Sequence, residues 1–380
     1  IPARIVPLAS LPRLPNGKVD HRSLAASAAA AEISGGRVPP RDDIESRLAE
    51  IWSRFFDLRP IGVTEDFFDL GGHSLLAARL AAELRRTFET DVPLAEIFRR
   101  PTIEAMARLL RQPAGRASSS PIVPIQTEGA NVPLFLVHPV GGSLFSYTEL
   151  ARHLGHDQPV FGFQTAGLDS DDVELVSIEA MALTYVDALR AARPDGPYRL
   201  GGWSFGAIVA HEMARQLEAD RQRVALVALI DPPDLAHAPN DRERDAVEDA
   251  LARDFLSHLG VPEVDIASAV EAFRRLDLEA QLARLGEIAA RTERTRGLDP
   301  VSLRRAIRVF NANRDAMRGH RPGRVIGPVV VFRPSEQRQP NGGVDSSAIE
   351  IVPGNHFSML EAPHVEMLAE RLRSRLEAAG

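Results

Sequence analysis

From about residue 122 to the C-terminus, short apolar runs alternate with longer stretches of helical periodicity. That rhythm constrains the fold more than any other feature of the chain. The runs at 134–137 (LFLV), 159–163 (PVFGF), 198–203 (YRLGGW), 224–230 (VALVALI) and 329–332 (VVVF) have the length of strands. They are apolar at consecutive rather than alternate positions, as strands covered on both faces are. Strands separated by helices imply parallel pairing through crossovers, so an α/β fold with a mostly parallel sheet is expected. Residues 234–320 break the rhythm. They are charged, rich in Arg, Ala, Leu and Glu, and read as several helices without a strand, an inserted helical subdomain.

Upstream the pattern is different. Residues 39–112 read as a small helical bundle. Asp42 or Asp43 caps a first helix whose Ile44, Leu48, Ile51, Trp52 and Phe55 share one face. After a loop with Pro60 and Gly62, a second helix starts near Ser74 with Leu76, Leu80, Leu84 and Phe88 on one stripe. A short third follows Pro93 (Leu94, Ile97, Phe98), and a fourth follows Pro101 (Ile103, Met106, Leu109, Leu110). The Pro, Gly and Ser content of QPAGRASSSP (112–121) is that of a flexible linker and sets a domain boundary. Residues 1–38, proline-rich and then alanine-rich, bury no core of their own. The chain opens on Ile1 rather than Met and is expected to be part of a longer one.

With 380 residues, the chain exceeds one ordinary hydrophobic core, so two or three domains are expected. The formal net charge is −7 and opposite charges are interspersed, which gives no reason to expect a nucleic-acid or anionic-membrane partner. The chain has no cysteine, which removes disulfides, thiolate metal sites and a cysteine nucleophile. Any thioester chemistry must therefore borrow its sulfur from a cofactor, and a reducing cytoplasm fits. No apolar run of about 18 residues is present, so no membrane-spanning helix is expected.

Two short segments carry chemistry. GWSFG (202–206) fits the G-x-S-x-G pattern between a predicted strand and a predicted helix. A sharp strand-to-helix turn there exposes Ser204 at a helix N-terminus, and Gly202 and Gly206 allow close backbone approach. A serine nucleophile needs a base and an orienting acid, which follow in the order acid, then histidine, in this fold. Asp231 directly after the run 224–230 is the first candidate acid; Glu336 and Asp345 are its rivals. His356 in the loop VPGNHF is the candidate base, with His364 less well placed. Oxyanion donors are expected from the backbone N–H of Phe205 and, in the loop HPVGG (138–142), of Val140. The second segment, DFFDLGGHSL (66–75), sets Ser74 at a helix start behind two glycines. This is either a capping serine or a phosphodiester attachment site, where free N–H groups and the helix dipole would receive a phosphate.

These segments resemble known families. DFFDLGGHSL is similar to the core motif of the peptidyl carrier proteins of nonribosomal peptide synthetases. The resemblance implies 4′-phosphopantetheine on Ser74, attached by a phosphopantetheinyl transferase. LPRLPNGKVDHRSL (11–24) resembles the C-terminal end of adenylation domains. Lys18 matches the lysine that contacts the adenylate there, and His21 replaces the usual arginine. The rest of such a domain does not occur within these 380 residues, so Lys18 is expected to have nothing to catalyse in this chain. HPVGG, GWSFG, the aspartate after the next strand and GNH match, in order, the type I thioesterases of the same synthetases. That family also carries a helical lid in the place of 234–320, and it favours Asp231 over Glu336.

The implied fold class is multidomain, a four-helix-bundle carrier and an α/β-hydrolase thioesterase with a helical lid. The implied organisation is an adenylation tail (1–24), linker (25–38), carrier (39–112), linker (113–121) and thioesterase (122–380, lid about 234–320). The implied partners are the upstream adenylation and condensation domains, the transferase and a peptidyl thioester, in the cytoplasm, with no metal. Two alternatives are a generic serine esterase fused to a helical domain and a scaffold fragment with an inactive hydrolase.

Overall fold

The computed structural model describes residues 37–112, 120–170, 177–233, 248–249, 251–253, 255–257, 261–291, 300–336 and 348–379. The expectations for 1–36, including Lys18 and His21, for the linker at 113–119 and for Asp345 lie outside these residues.

The N-terminal bundle follows its apolar spacing. Helix α1 (Asp43–Phe56) starts at Asp42, whose carboxylate accepts the Glu45 N–H at 2.9 Å, and ends at Asp57 in the left-handed region. Helices α2 (Ser74–Phe88), α3 (Leu94–Arg99) and α4 (Ile103–Leu110) follow. Their buried stripes meet around Trp52, whose ring lies edge-to-face against Phe67 at 5.3 Å, with Leu48, Leu80, Leu84 and Met106 packed in the same core.

The second unit is built on seven strands: β1 (Ile122–Gln126), β2 (Leu134–Val137), β3 (Val160–Phe163), β4 (Tyr198–Trp203), β5 (Val224–Ile230), β6 (Val329–Pro334) and β7 (Ala348–Val352). The order across the sheet is β1-β3-β2-β4-β5-β6-β7, with β1 antiparallel to β3 and every other pair parallel. The apolar runs marked out the inner strands; the two edge strands carry no such run. β1 is interrupted by Pro124, which an edge tolerates, and β7 alternates half-buried with exposed positions, including Ile349 and Ile351.

Strand parity divides the core. Leu134 and Leu136 of β2, with Leu226, Ala228 and Ile230 of β5, enter one layer; Phe135, Val137, Val227 and Leu229 enter the other. The first layer is covered by α5 (Thr148–Leu154) and α11 (His364–Ala378). The second is covered by α6 (Ile178–Ala192) and α7 (Phe205–Ala219). Helices α8 (Glu263–Arg275), α9 (Leu278–Arg291) and α10 (Pro300–Gly319) form the insertion between β5 and β6, and the described residues of 234–320 contain no strand.

The bundle and the sheet unit share an aromatic seam. Phe98 stacks on Phe68 at 5.0 Å and meets Phe145 of the sheet unit at 4.6 Å. Arg99 Nη2 donates to the carbonyls of Ser120 and Ile122 at 2.7 and 2.8 Å. The first N–H of α3, on Leu94, donates to Asp169 Oδ1 at 2.8 Å. Burial pushes the Asp169 carboxyl up to about 6, against the hydrogen bonds from Leu94 N–H and Gln164 that favour the carboxylate. Its folded pKa therefore lies above its unfolded one. Between the two values the folded chain keeps a proton that the unfolded chain releases, so stability falls as pH rises through this window. Asp169→Asn keeps an acceptor for Leu94 N–H and removes the charge. Denaturation midpoints compared between about pH 4 and about pH 7 should diverge in favour of the variant as pH rises; parallel pH profiles would contradict the assignment.

Candidate active site

Strand β4 passes into α7 through Ser204, at φ 55° and ψ −123°. A side chain in that region is strained, at a cost of about 1–3 kcal/mol. Two glycines make the turn possible. A Cβ on Gly202 would lie 2.3 Å from the Gly206 carbonyl, and one on Gly206 would lie 2.2 Å from the Val137 oxygen. Bare backbone thus lets the first turn of α7 press against the end of β2. Ser204 N–H donates to Ile230 O at 2.9 Å, extending the β4–β5 ladder by one residue. The turn does not expose Ser204 as expected: the residue is fully buried, and its Oγ has no hydrogen-bond partner among the described residues. Nucleophile–base bonds in free enzymes are often long and close only around substrate.

Asp231 stands at the C-terminal end of β5, beside the end of β4, with its N–H donating to Phe332 O at 2.8 Å. Its carboxylate is divided between two partners. Oδ2 receives His356 Nδ1 at 2.6 Å, and Oδ1 receives Arg333 Nη1 at 2.9 Å. Arg333 also donates to Pro232 O at 2.8 Å, which fixes the acid from the side opposite the histidine. His356 lies in the loop after β7. Trp203, the residue before Ser204, donates from Nε1 to the His356 carbonyl at 3.1 Å, and its ring lies 4.9 Å from the imidazole. With Nδ1 directed at a carboxylate, Nδ1 carries the proton and Nε2 holds the lone pair. Glu336 reaches Asn355, at 3.5 Å, and makes no bond to His356; His364 Nδ1 donates to Ser358 O at 3.3 Å.

The loop after β2 lies on the other side of the Ser204 turn. Val140 is buried there, and Phe205 is the first residue of α7, where N–H groups lack intrahelical acceptors. Tyr147 binds the two strand ends together: its hydroxyl donates to Val137 O at 2.6 Å and accepts Trp203 N–H at 2.8 Å. His138 is buried, and burial pulls it down to about 4, so it is neutral near pH 7. His138 opens the HPVGG motif, whereas Tyr147 and Arg333 carry no sequence signal that sets them apart from core residues. Arg333 is the nearest to one, as a charge following the apolar run of β6.

Ser74 opens α2 in the bundle, away from this cluster in the chain. His73 before it is extended, and α2 has no acidic residue in its first turn to repel an anion. Gly71, at φ 97°, faces open space, whereas Gly72 is packed so closely on Phe67 that a Cβ would lie 2.2 Å from its ring. An open approach and the free N–H groups of a 15-residue helix fit a phosphodiester at this position.

Known proteins match both units. The thioesterase domain family matches residues 132–376, and the chain belongs to that family. The phosphopantetheine attachment site family matches residues 46–110. Malpinin synthetase of Mortierella alpina is 39% identical over 259 residues, covering 67% of this chain and 3% of that protein. The dimodular nonribosomal peptide synthase of Bacillus subtilis is 33% identical over 280 residues, covering 72% of this chain and 12% of that protein. A crystal structure of a four-domain nonribosomal peptide synthetase in holo form, bound to AMP and glycine, aligns at TM-score 0.60 and 27% identity. It covers 97% of this chain and 28% of that one. The chain thus spans a small part of these relatives' length. It is an enzyme, a thioesterase of α/β-hydrolase fold joined to a helical phosphopantetheine-attachment domain. Among the described residues no helix is long and apolar enough to cross a membrane, and no group of three or more potential metal ligands is gathered.

Ser204→Gly should relieve the strain of the turn. We expect the folded protein to gain about 1 kcal/mol, read as a higher denaturant midpoint with an unchanged slope. An unchanged or lowered midpoint would show that the turn is not strained.

Proposed function

We propose that this chain is the carrier–thioesterase end of a nonribosomal peptide synthetase, with Ser204 as nucleophile, His356 as base and Asp231 as the orienting acid. The 2.6 Å contact between His356 Nδ1 and Asp231 Oδ2, held beside the nucleophile turn by Trp203, carries the reading. Residues 1–24 are the tail of an adenylation domain, 39–112 the carrier and 122–380 the thioesterase, with linkers at 25–38 and 113–121. Upstream adenylation and condensation domains supply the acyl chain, a phosphopantetheinyl transferase modifies Ser74, and the assembly works in the cytoplasm. When bound, 4′-phosphopantetheine supplies the thiol that a cysteine-free chain lacks.

The protein's own groups then perform acyl transfer. His356 Nε2 takes the proton of the Ser204 hydroxyl as its oxygen attacks the thioester carbonyl. The imidazolium that forms faces Asp231, which Arg333 keeps in place. Backbone N–H groups of Val140 and Phe205 receive the oxyanion, each contributing about 3–4 kcal/mol to the transition state. The proton passes to the departing sulfur, leaving an ester on Ser204. His356 next takes a proton from water, which attacks the ester and yields an acid, or from an internal amine or hydroxyl, which attacks it and yields a ring; the ester C–O bond breaks and the proton returns to the departing Ser204 oxygen. The inserted helices over the site bias that choice through the water they exclude.

Separate substitutions test the two serines. Ser204→Ala should lower release by about 10⁴-fold or more while Ser74 still gains the mass of the arm from coenzyme A and transferase. Ser74→Ala should block that mass gain and leave turnover of a soluble small-thiol thioester intact. A serine-directed fluorophosphonate should label wild type at Ser204. Wild-type release by Ser204→Ala would overturn the assignment, and a modified esterase lacking the Ser74 mass gain would favour the generic esterase.

A further inference from the structure

The loop after β2 is gripped on both sides of Val140 by buried side chains that have no other evident task. A peptide group is planar, so fixing its carbonyl fixes the N–H at its other end. His138 Nδ1 donates to the Pro139 carbonyl at 2.8 Å. That carbonyl shares a plane with the Val140 N–H. The ring is held in turn at Nε2, which accepts the Tyr185 hydroxyl at 2.8 Å. Asn313 Nδ2 donates to the Val140 carbonyl at 2.8 Å. That carbonyl belongs to the next plane, so the two torsions of Val140 are set from both ends.

Asn313 comes from α10, in the insertion, and the loop lies 173 positions earlier in the chain. It is fully buried, and its Oδ1 has no partner among the described residues. A buried amide half satisfied is costly where an apolar residue would fit, which marks the remaining bond as the reason for an amide there. The same face of α10 reaches the loop one turn earlier. Val309 lies so close to Gly142, at φ 82°, that a Cβ there would sit 2.8 Å from Val309 Cγ1. Hydrogen bonds link the helices of the insertion to one another. Asn311 of α10 donates to Gln281 of α9 at 3.0 Å, and Gln281 donates to the carbonyls of Phe273 and Leu276 at the end of α8, at 3.1 and 3.0 Å.

The geometry points to Asn313 as a positioning residue: it ties the inserted helices to Val140, so that the oxyanion donor is aimed only while α10 is seated on the loop. Lid position and catalytic competence are then one variable rather than two. A substrate that seats α10 completes the oxyanion hole by doing so, and one that props α10 away meets a nucleophile without its full complement of donors. This inference rests on the reading of Ser204 as nucleophile and Val140 as donor.

The test uses the whole chain with a soluble acyl thioester and a boronic acid, which forms a tetrahedral adduct on a serine nucleophile. Asn313→Leu keeps the volume and removes the donor. Asn313→Asp keeps the shape and sets a carboxylate oxygen against the Val140 carbonyl. Both should lower kcat about 10- to 100-fold, a fraction of what deleting a donor outright costs. Boronic acid affinity should fall in parallel, while KM moves less than about twofold. A purely structural role for Asn313 would lower the thermal midpoint and leave the boronate affinity of the folded protein untouched. Variants that keep both kcat and boronate affinity within about threefold of wild type would overturn the positioning role alone. A wild-type protein that takes neither fluorophosphonate nor boronic acid at Ser204 would overturn the catalytic reading, and this inference with it.

Discussion

The approach of the first turn of α7 to the end of β2, backbone against backbone, is the constraint from which the rest of the site follows. Gly206 touches the Val137 and His138 carbonyls closely enough that a single methyl group would be excluded. Nothing but glycine fits, and because it fits, the strand carrying Ser204 and the loop carrying Val140 arrive at the same point. Gly202 does the same within the turn itself, letting the chain reverse without a side chain between the two arms. The strain at Ser204 is the other face of this packing. The ladder bond to Ile230, the Tyr147 bridge between the two strand ends and the burial of Phe205 hold a conformation that an isolated segment would abandon.

Around that point the sheet acts as a jig. Parallel strands β4, β5 and β6 end side by side, so Ser204, Asp231 and Arg333 fall near one rim although far apart in sequence. His356 arrives on the loop after the next strand, β7. Each strand needs only to stop at the right residue for its functional side chain to be placed, and the register of the ladders decides where it stops. Ligand sites outside the carboxyl ends of strands are the general outcome of such sheets.

The inner strands were legible because they are buried on both faces and therefore written as unbroken apolar runs. β1 and β7 were not, since an edge strand meets solvent on one side: Pro124 and Glu350 interrupt the pattern. The bundle was legible from stripes such as Leu80 and Leu84 and from Asp42, whose capping role needs only three residues of context. Asp231 and His356 could be proposed from the sequence because the chemistry of a serine nucleophile asks for an acid and a base at strand ends. Arg333, Tyr147 and Asn313 could not. Arg333 braces Asp231 and Pro232, Tyr147 joins Val137 to Trp203, and Asn313 reaches Val140 across 173 positions, and no local pattern announces a polar side chain's distant partners. Positions that begin a turn or cap are written locally; positions that brace one element against another are not.

The chain holds two tryptophans, and the fold gives one to each unit. Trp52 sits in the core of the helical bundle, in ring contact with Phe56 and Phe67; Trp203 sits beside Ser204 at the strand-to-helix turn, in ring contact with His356. Indole emission from this protein is therefore the sum of two signals from separate neighbourhoods. Replacing Trp52 by phenylalanine leaves indole emission from the Ser204 turn alone, an optical channel built into the chain, through which a change at that turn can be followed without any added dye.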